Sequence, residues 1–120
     1  MNYIHNILSL VLLVSFASMA SGSETVTFLS EDGLLLTADI HAPYKNATAP
    51  VVVLFHQAGS SRGEYTEIAP WLNALGYNCI AVDQRSGEHA GGIDNETALR
   101  AEKENRPTGY ISALPDIKAA

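Results

Sequence analysis

The most reactive-looking stretch of the chain is Gly59-Ser60-Ser61-Arg62-Gly63, which spells Gly-x-Ser-x-Gly between a run of β-formers and a helix-like segment. That pattern is the nucleophile elbow, a sharp turn that exposes a serine hydroxyl for acyl transfer. Asp83 and His89 follow downstream, so the order Ser, Asp, His of a hydrolytic triad can be written as Ser61, Asp83 and His89. At ~7% usage for Gly and a similar value for Ser, chance supplies the pattern in roughly one chain in twenty-five of this length. The triad is therefore kept as an alternative only. The same loop lacks the Lys and the spacing of a phosphate loop, and no Gly-x-Gly-x-x-Gly is present, so no nucleotide cofactor is expected.

Other reactive side chains argue for less. Cys79 is the only cysteine and sits in the apolar run Cys79-Ile80-Ala81-Val82. It has no local His to lower its pKa and is expected to be a small buried hydrophobe. His41, His56 and His89 are well separated and lack metal-ligand spacing, so no metal is expected. Asn46-Ala47-Thr48 and Asn95-Glu96-Thr97 fit the glycosylation sequon and are read as ordinary loop sequence.

The elements that must position these residues follow from periodicity. Thr25 to Leu29 alternates, Asp32-Gly33 gives a turn signal, and Leu34 to His41 reads as a second strand, which together make a hairpin. Val51 to Phe55 is a continuous β-branched and apolar run, expected to be buried on both faces. Apolar or aromatic positions at Tyr65, Ile68, Trp71, Leu72 and Leu75 predict a helix over Glu64–Leu75, kinked or started near Pro70 and ended by Gly76. Tyr77 to Val82 is another buried strand, parallel to the previous one, and Asp83 to Gly92 a loop. Asp94 or Asn95 is expected to cap a short helix to about Glu104. Pro107 to Leu114 is loop-like, and Leu114-Pro115-Asp116 opens a last helix.

Before all of this comes a segment with the layout of a secretory leader. Met1 to Asn6 is polar, Ile7 to Ala17 nearly all apolar, and small residues follow at Ser18, Ala20, Ser21 and Gly22. About 11 apolar residues are too few for the ~20 that span a bilayer. We expect a signal peptide at 1–22, no membrane span after its removal, and an exported, periplasmic or secreted product. Over all 120 residues, 47% hydrophobic and 17% charged is the composition of one globular domain. A net charge of −6 with scattered Lys and Arg leaves no basic footprint for nucleic acid. Nothing in it specifies an oligomeric state.

Two segments carry a resemblance. Val51-Val52-Val53-Leu54-Phe55-His56-Gln57-Ala58-Gly59 and Gly76-Tyr77-Asn78-Cys79-Ile80-Ala81-Val82-Asp83-Gln84-Arg85-Ser86-Gly87 resemble the α/β-hydrolase superfamily, nearest its dienelactone-hydrolase-like and small serine esterase or peptidase branches. The resemblance implies an α/β fold, a mostly parallel sheet with an antiparallel hairpin at its start and a parallel βαβ unit after it. Residues 23–120 would be the N-terminal half of such a domain, cut short. It implies that Ala58 N–H, or failing that Gln57 N–H, is an oxyanion donor, and that His56, Asp83 and Arg85 brace the loops. Gln57 and Ser86 stand where the family usually has Gly, and either change alters the local turn. In the family the elbow follows a fifth strand, which weighs against Ser61. The nucleophile, acid and base are then expected beyond residue 120, so the chain alone would be inactive, open along Val51–Phe55, and poorly soluble or partly unfolded. The expected parent activity is hydrolysis of a small-molecule ester without a cofactor. The alternatives are a non-catalytic binding module and a small hydrolase using Ser61.

Overall fold

The computed structural model describes residues 22–120. The expected signal peptide, residues 1–22, lies outside them but for Gly22. The described chain runs β1 (Glu24–Leu29), β2 (Leu35–His41), β3 (Val51–Phe55), a 3-10 turn (Arg62–Tyr65), α1 (Ile68–Ala74) and β4 (Asn78–Asp83). It continues with β5 (His89–Ala90), β6 (Ile93–Asp94), α2 (Glu96–Lys103), a second 3-10 turn (Tyr110–Ala113) and α3 (Leu114–Ala119). The fold is α/β: one mixed four-stranded sheet, in the order β1-β2-β4-β3, with three α-helices.

The hairpin turns through Gly33, whose φ of 83° suits a residue without a Cβ. β1 and β2 pair antiparallel in register from Glu24↔Ile40 to Leu29↔Leu35. β2 then pairs antiparallel with β4, and only β3 and β4 are parallel, Val51↔Asn78 through Phe55↔Val82. The expectation of a mostly parallel sheet is thus corrected: among the described strands the sheet is mixed, with one parallel pair. The reason is order. β4 inserts between β2 and β3, so the hairpin's inner strand meets it running the other way.

Burial corrects a second expectation. β4 is almost entirely buried, as its apolar run predicts. β3 has an equally apolar run but lies at the sheet edge, with Val51 62% and Val53 38% exposed. A run of apolar residues reports the wish to be covered and says nothing of whether a neighbour is there.

Helix α1 begins at Ile68, two residues before Pro70, the later of the two starts expected, and not at Glu64. Pro70 explains the difference: in the first turn its missing N–H is unneeded, but a helix running from Glu64 would require it. Gly76, at φ 98°, ends the helix, its N–H bonded to Asn73 O (3.0 Å) and that of Tyr77 to Leu72 O (3.2 Å). Asn95 caps α2, accepting Ala98 N–H at 2.8 Å. The expected loop at 83–92 instead ends in a short β5–β6 ribbon across Gly91-Gly92, both at positive φ, as a tight hairpin turn requires. Pro107 to Leu114, read as loop, contains the second 3-10 turn.

α2 packs on β2 and β4. Leu34, Leu36 and Ala101 form the core, with Phe28 and Ala119 against it. Ala38, Ala81 and Ala98 are buried as well. The interior also holds Arg62, Arg85, Asp83 and Asp116. Buried charges of this kind must be paired, and their pairs define the site.

Candidate functional site

The site is the turn that leaves the C-terminal end of β3. Ser60 N–H donates to Gln57 O at 3.1 Å, and Gly59 sits at φ 79°. Among the described residues Asn105 is the only non-glycine at positive φ, so Ala58 has negative φ and Gln57–Ser60 is a type II turn. His56 lies directly beneath it, almost fully buried. The Gln84 backbone N–H can only donate, and it points at His56 Nε2 (3.1 Å). Nε2 must therefore be the acceptor and Nδ1 carries the proton, which it donates to Gln57 O at 2.7 Å.

These bonds fix the Gln57–Ala58 peptide. Its oxygen is turned inward and held twice, so in a planar trans peptide its N–H points the opposite way, outward. Ala58 is exposed, and its N–H makes no hydrogen bond to any described residue. The Gln57 N–H is engaged: it donates to Glu64 Oε2 at 3.2 Å. Of the two amides expected from sequence, one is open and the other is held.

The segment after β4 clasps the turn from below. Ser86 O accepts Gly59 N–H (3.0 Å), Glu88 N–H donates to Ser60 O (2.9 Å), and Gln84 Nε2 donates to His56 O (3.1 Å). Asn95 completes the clasp, its Nδ2 at 2.8 Å from Gln84 O and 3.2 Å from Ser60 O. Gly87 is packed so tightly that a Cβ there would lie 2.1 Å from Ser60 O and from Asn95 Nδ2. The glycine that close approach demands is therefore at 87, one place after Ser86.

Asp83 and Arg85 each hold a different partner. Asp83, fully buried, accepts the Arg62 backbone N–H and Nη1, both at 2.6 Å, and the Glu96 N–H at 3.0 Å. Burial pushes the Asp83 carboxyl up against the pull of Arg62 and these N–H groups. Burial pulls Arg62 down, but the Asp83 and Asp39 carboxylates outweigh it and raise it. Arg62 Nε is 3.1 Å from Asp39 Oδ2, a charge contact without a well-directed N–H bond. Arg85 is gripped bidentately by Asp32 (2.8 and 2.8 Å) and again by Asp116 (2.6 Å to Nη2, 3.0 Å to Nε). Hydrogen bonds from Arg85 hold the Asp32 carboxyl well below the usual carboxylate range, and both carboxylates raise Arg85.

Ser61, Asp83 and His89 are not joined by hydrogen bonds. Ser61 has no exposed surface and an ordinary extended φ of −145° rather than the strain of an elbow. Its hydroxyl donates to Ile93 O (2.7 Å) and accepts Gly63 N–H (3.1 Å), so it caps the 3-10 turn and seats the β5–β6 ribbon. Asp83 is occupied by Arg62, while exposed His89 bonds Asp94 Oδ1 at 2.8 Å. Burial pushes the Cys79 thiol up, away from the nucleophilic thiolate.

Sequence reasoning missed Glu64, Asn95 Nδ2, Asp32 and Asp116 as members of this network. Asn95 stood out only as a helix cap, and no local spacing signals pairs separated by 31 or 53 residues. No family model matches the chain, and no curated protein matches it either.

Proposed function

We propose that residues 22–120 form the N-terminal, oxyanion-bearing part of an exported α/β-hydrolase-type serine hydrolase that cleaves small carboxylic esters. The attacking serine, its histidine and its acid come from outside these residues. One observation carries the reading: an outward, unengaged Ala58 N–H on a doubly fixed turn at the C-terminal end of a parallel strand. Attack on an ester carbonyl moves charge onto its oxygen, and a preoriented backbone donor stabilises that charge without reorganising. Ligand sites in α/β sheets gather at this end of the strands. The commitment of the Ser61 hydroxyl to Ile93 O and Gly63 N–H supports a nucleophile from elsewhere.

The test exploits the turn. Position 58 is the second residue of a type II turn, where Pro is favoured, so Ala58→Pro removes the N–H while keeping the fold. In protein isolated from its own cells, a fluorophosphonate should label a serine outside 22–120. Ala58→Pro should lower kcat on a p-nitrophenyl ester by roughly 10²–10³ with KM little changed. Labelling at Ser61, no labelling of folded protein, or an unchanged kcat in the variant would each sink the reading. A second reading, a non-catalytic module that docks a strand on β3, is favoured by that strand's open edge. A stoichiometric complex without turnover would select it.

A further inference from the structure

We infer that Asp116, on α3, is a positioning residue for the Gln57–Ser60 turn and acts through the main chain of Arg85. The inference takes from the proposed function only the importance of that turn. Asp116 is fully buried, and its Oδ2 accepts the Arg85 backbone N–H at 2.8 Å as well as Nε at 3.0 Å. Asp32 grips the same guanidinium from the hairpin side but only its side chain, through Nη1 and Nη2. The two carboxylates thus differ in kind: both hold the charge, and only Asp116 also holds the backbone.

The consequence runs along three consecutive residues. One residue before Arg85, Gln84 N–H meets His56 Nε2, and one residue after it Ser86 O receives Gly59 N–H. Glu88 N–H then reaches Ser60 O. Every bond that clasps the turn from this segment lies within three residues of the peptide that Asp116 anchors. Without that carboxylate the Arg85 N–H is left buried with no acceptor, and the peptide is held only through Gln84 O, which accepts Asn95 Nδ2 at 2.8 Å. Ser86 O then leaves Gly59. α3, at the far end of the described chain, sets the geometry of a turn that it does not need to touch.

Site-resolved hydrogen exchange on the full chain separates positioning from plain stability. Asp116→Ala should speed exchange at Gly59 and Glu88 about tenfold more than at the β2 and β4 core amides, the equivalent of one lost hydrogen bond. Asp32→Ala should speed all of them in proportion. Asp116→Asn keeps an oxygen that can accept the Arg85 N–H and should restore most of the selective protection. Should Asp116→Ala fail to fold, Arg85→Lys carries the test. It keeps the backbone bond and loses the fork, so Gly59 should stay in step with the core. Equal loss at Gly59 and the core in Asp116→Ala, selective loss in Asp32→Ala, or selective loss in Arg85→Lys would each overturn the inference. Because exchange reads the amides themselves, a protein that hydrolyses no ester could still display this coupling, and an active one could lack it.

Discussion

Gly87 has no room for a methyl group, and its neighbours cannot easily give way. Two of the three nearest atoms belong to the Ser60 carbonyl and the Asn95 amide, and the third, His56 Cε1, would lie 2.7 Å from an added Cβ. All three residues are nine-tenths or more buried and hydrogen-bonded. Gly87→Ala should therefore destabilise by about 1–3 kcal/mol, the usual range for overpacking a filled interior. Gly109→Ala is the control, since nothing lies within 4 Å of a Cβ there. Equal urea midpoints for the two variants would show that the clasp yields more readily than its contacts imply. At this scale the sequence was half legible. His56, Asp83 and Arg85 stood out only through the resemblance carried by their two segments, which implies that they brace the loops. Their partners, Gln84 N–H, Arg62, Asp32 and Asp116, are set by chain folding over long separations.

Elements were legible wherever a local cause dominated. Asp32-Gly33 turns the hairpin, Asn95 caps α2 and Gly76 ends α1, each through a conformational or hydrogen-bonding preference of the residue itself. What escaped was coverage. Ile68, Trp71 and Leu75 have core-like helical spacing, yet are 42%, 64% and 57% exposed, and the edge strand β3 is just as apolar. Periodicity specifies a face and leaves the identity of its neighbour to the rest of the fold. An open apolar edge is a template for pairing with another chain. Val53 lies at the middle of that edge, so Val53→Lys should disfavour such pairing while costing about 1 kcal/mol or less of burial. Sedimentation velocity should reveal self-association of the parent chain that the variant lacks. A parent chain that is already monodisperse and monomeric would refute the idea that this edge drives association.

For the molecule as a whole, 47% hydrophobic composition suggests an apolar interior, but much of what is buried is ionic. Arg85 ties the hairpin turn, the segment after β4 and α3 into one knot, so acid should act on the knot through Asp32. The sign differs between sites. Asp32 titrates lower folded than unfolded, so the unfolded chain binds protons first as pH falls below the ordinary value of 3.8. Its stabilisation is complete above that value and is lost as pH drops through the folded one. Asp83 is raised by burial, so there the folded state binds the proton first, and stability from it declines as pH rises from 3.8 through its folded value. The two effects meet near 3.8: stability should rise gently as pH falls toward that value and drop below it. Asp32→Asn removes the group responsible for the drop while leaving Asp83 in place. Its urea midpoint should be lower than the parent's at neutral pH, because one charged partner of Arg85 is gone. The gap between the two should begin to narrow as pH falls below 3.8 and should close only where the parent's folded Asp32 is itself protonated, well below the usual carboxylate range. Asp32 is partly exposed, so water screens the pair and the gap should be modest. Parallel curves for variant and parent across that pH range would mean that the Asp32–Arg85 contact contributes nothing to the acid limb. The knot would then be held by Asp116 alone.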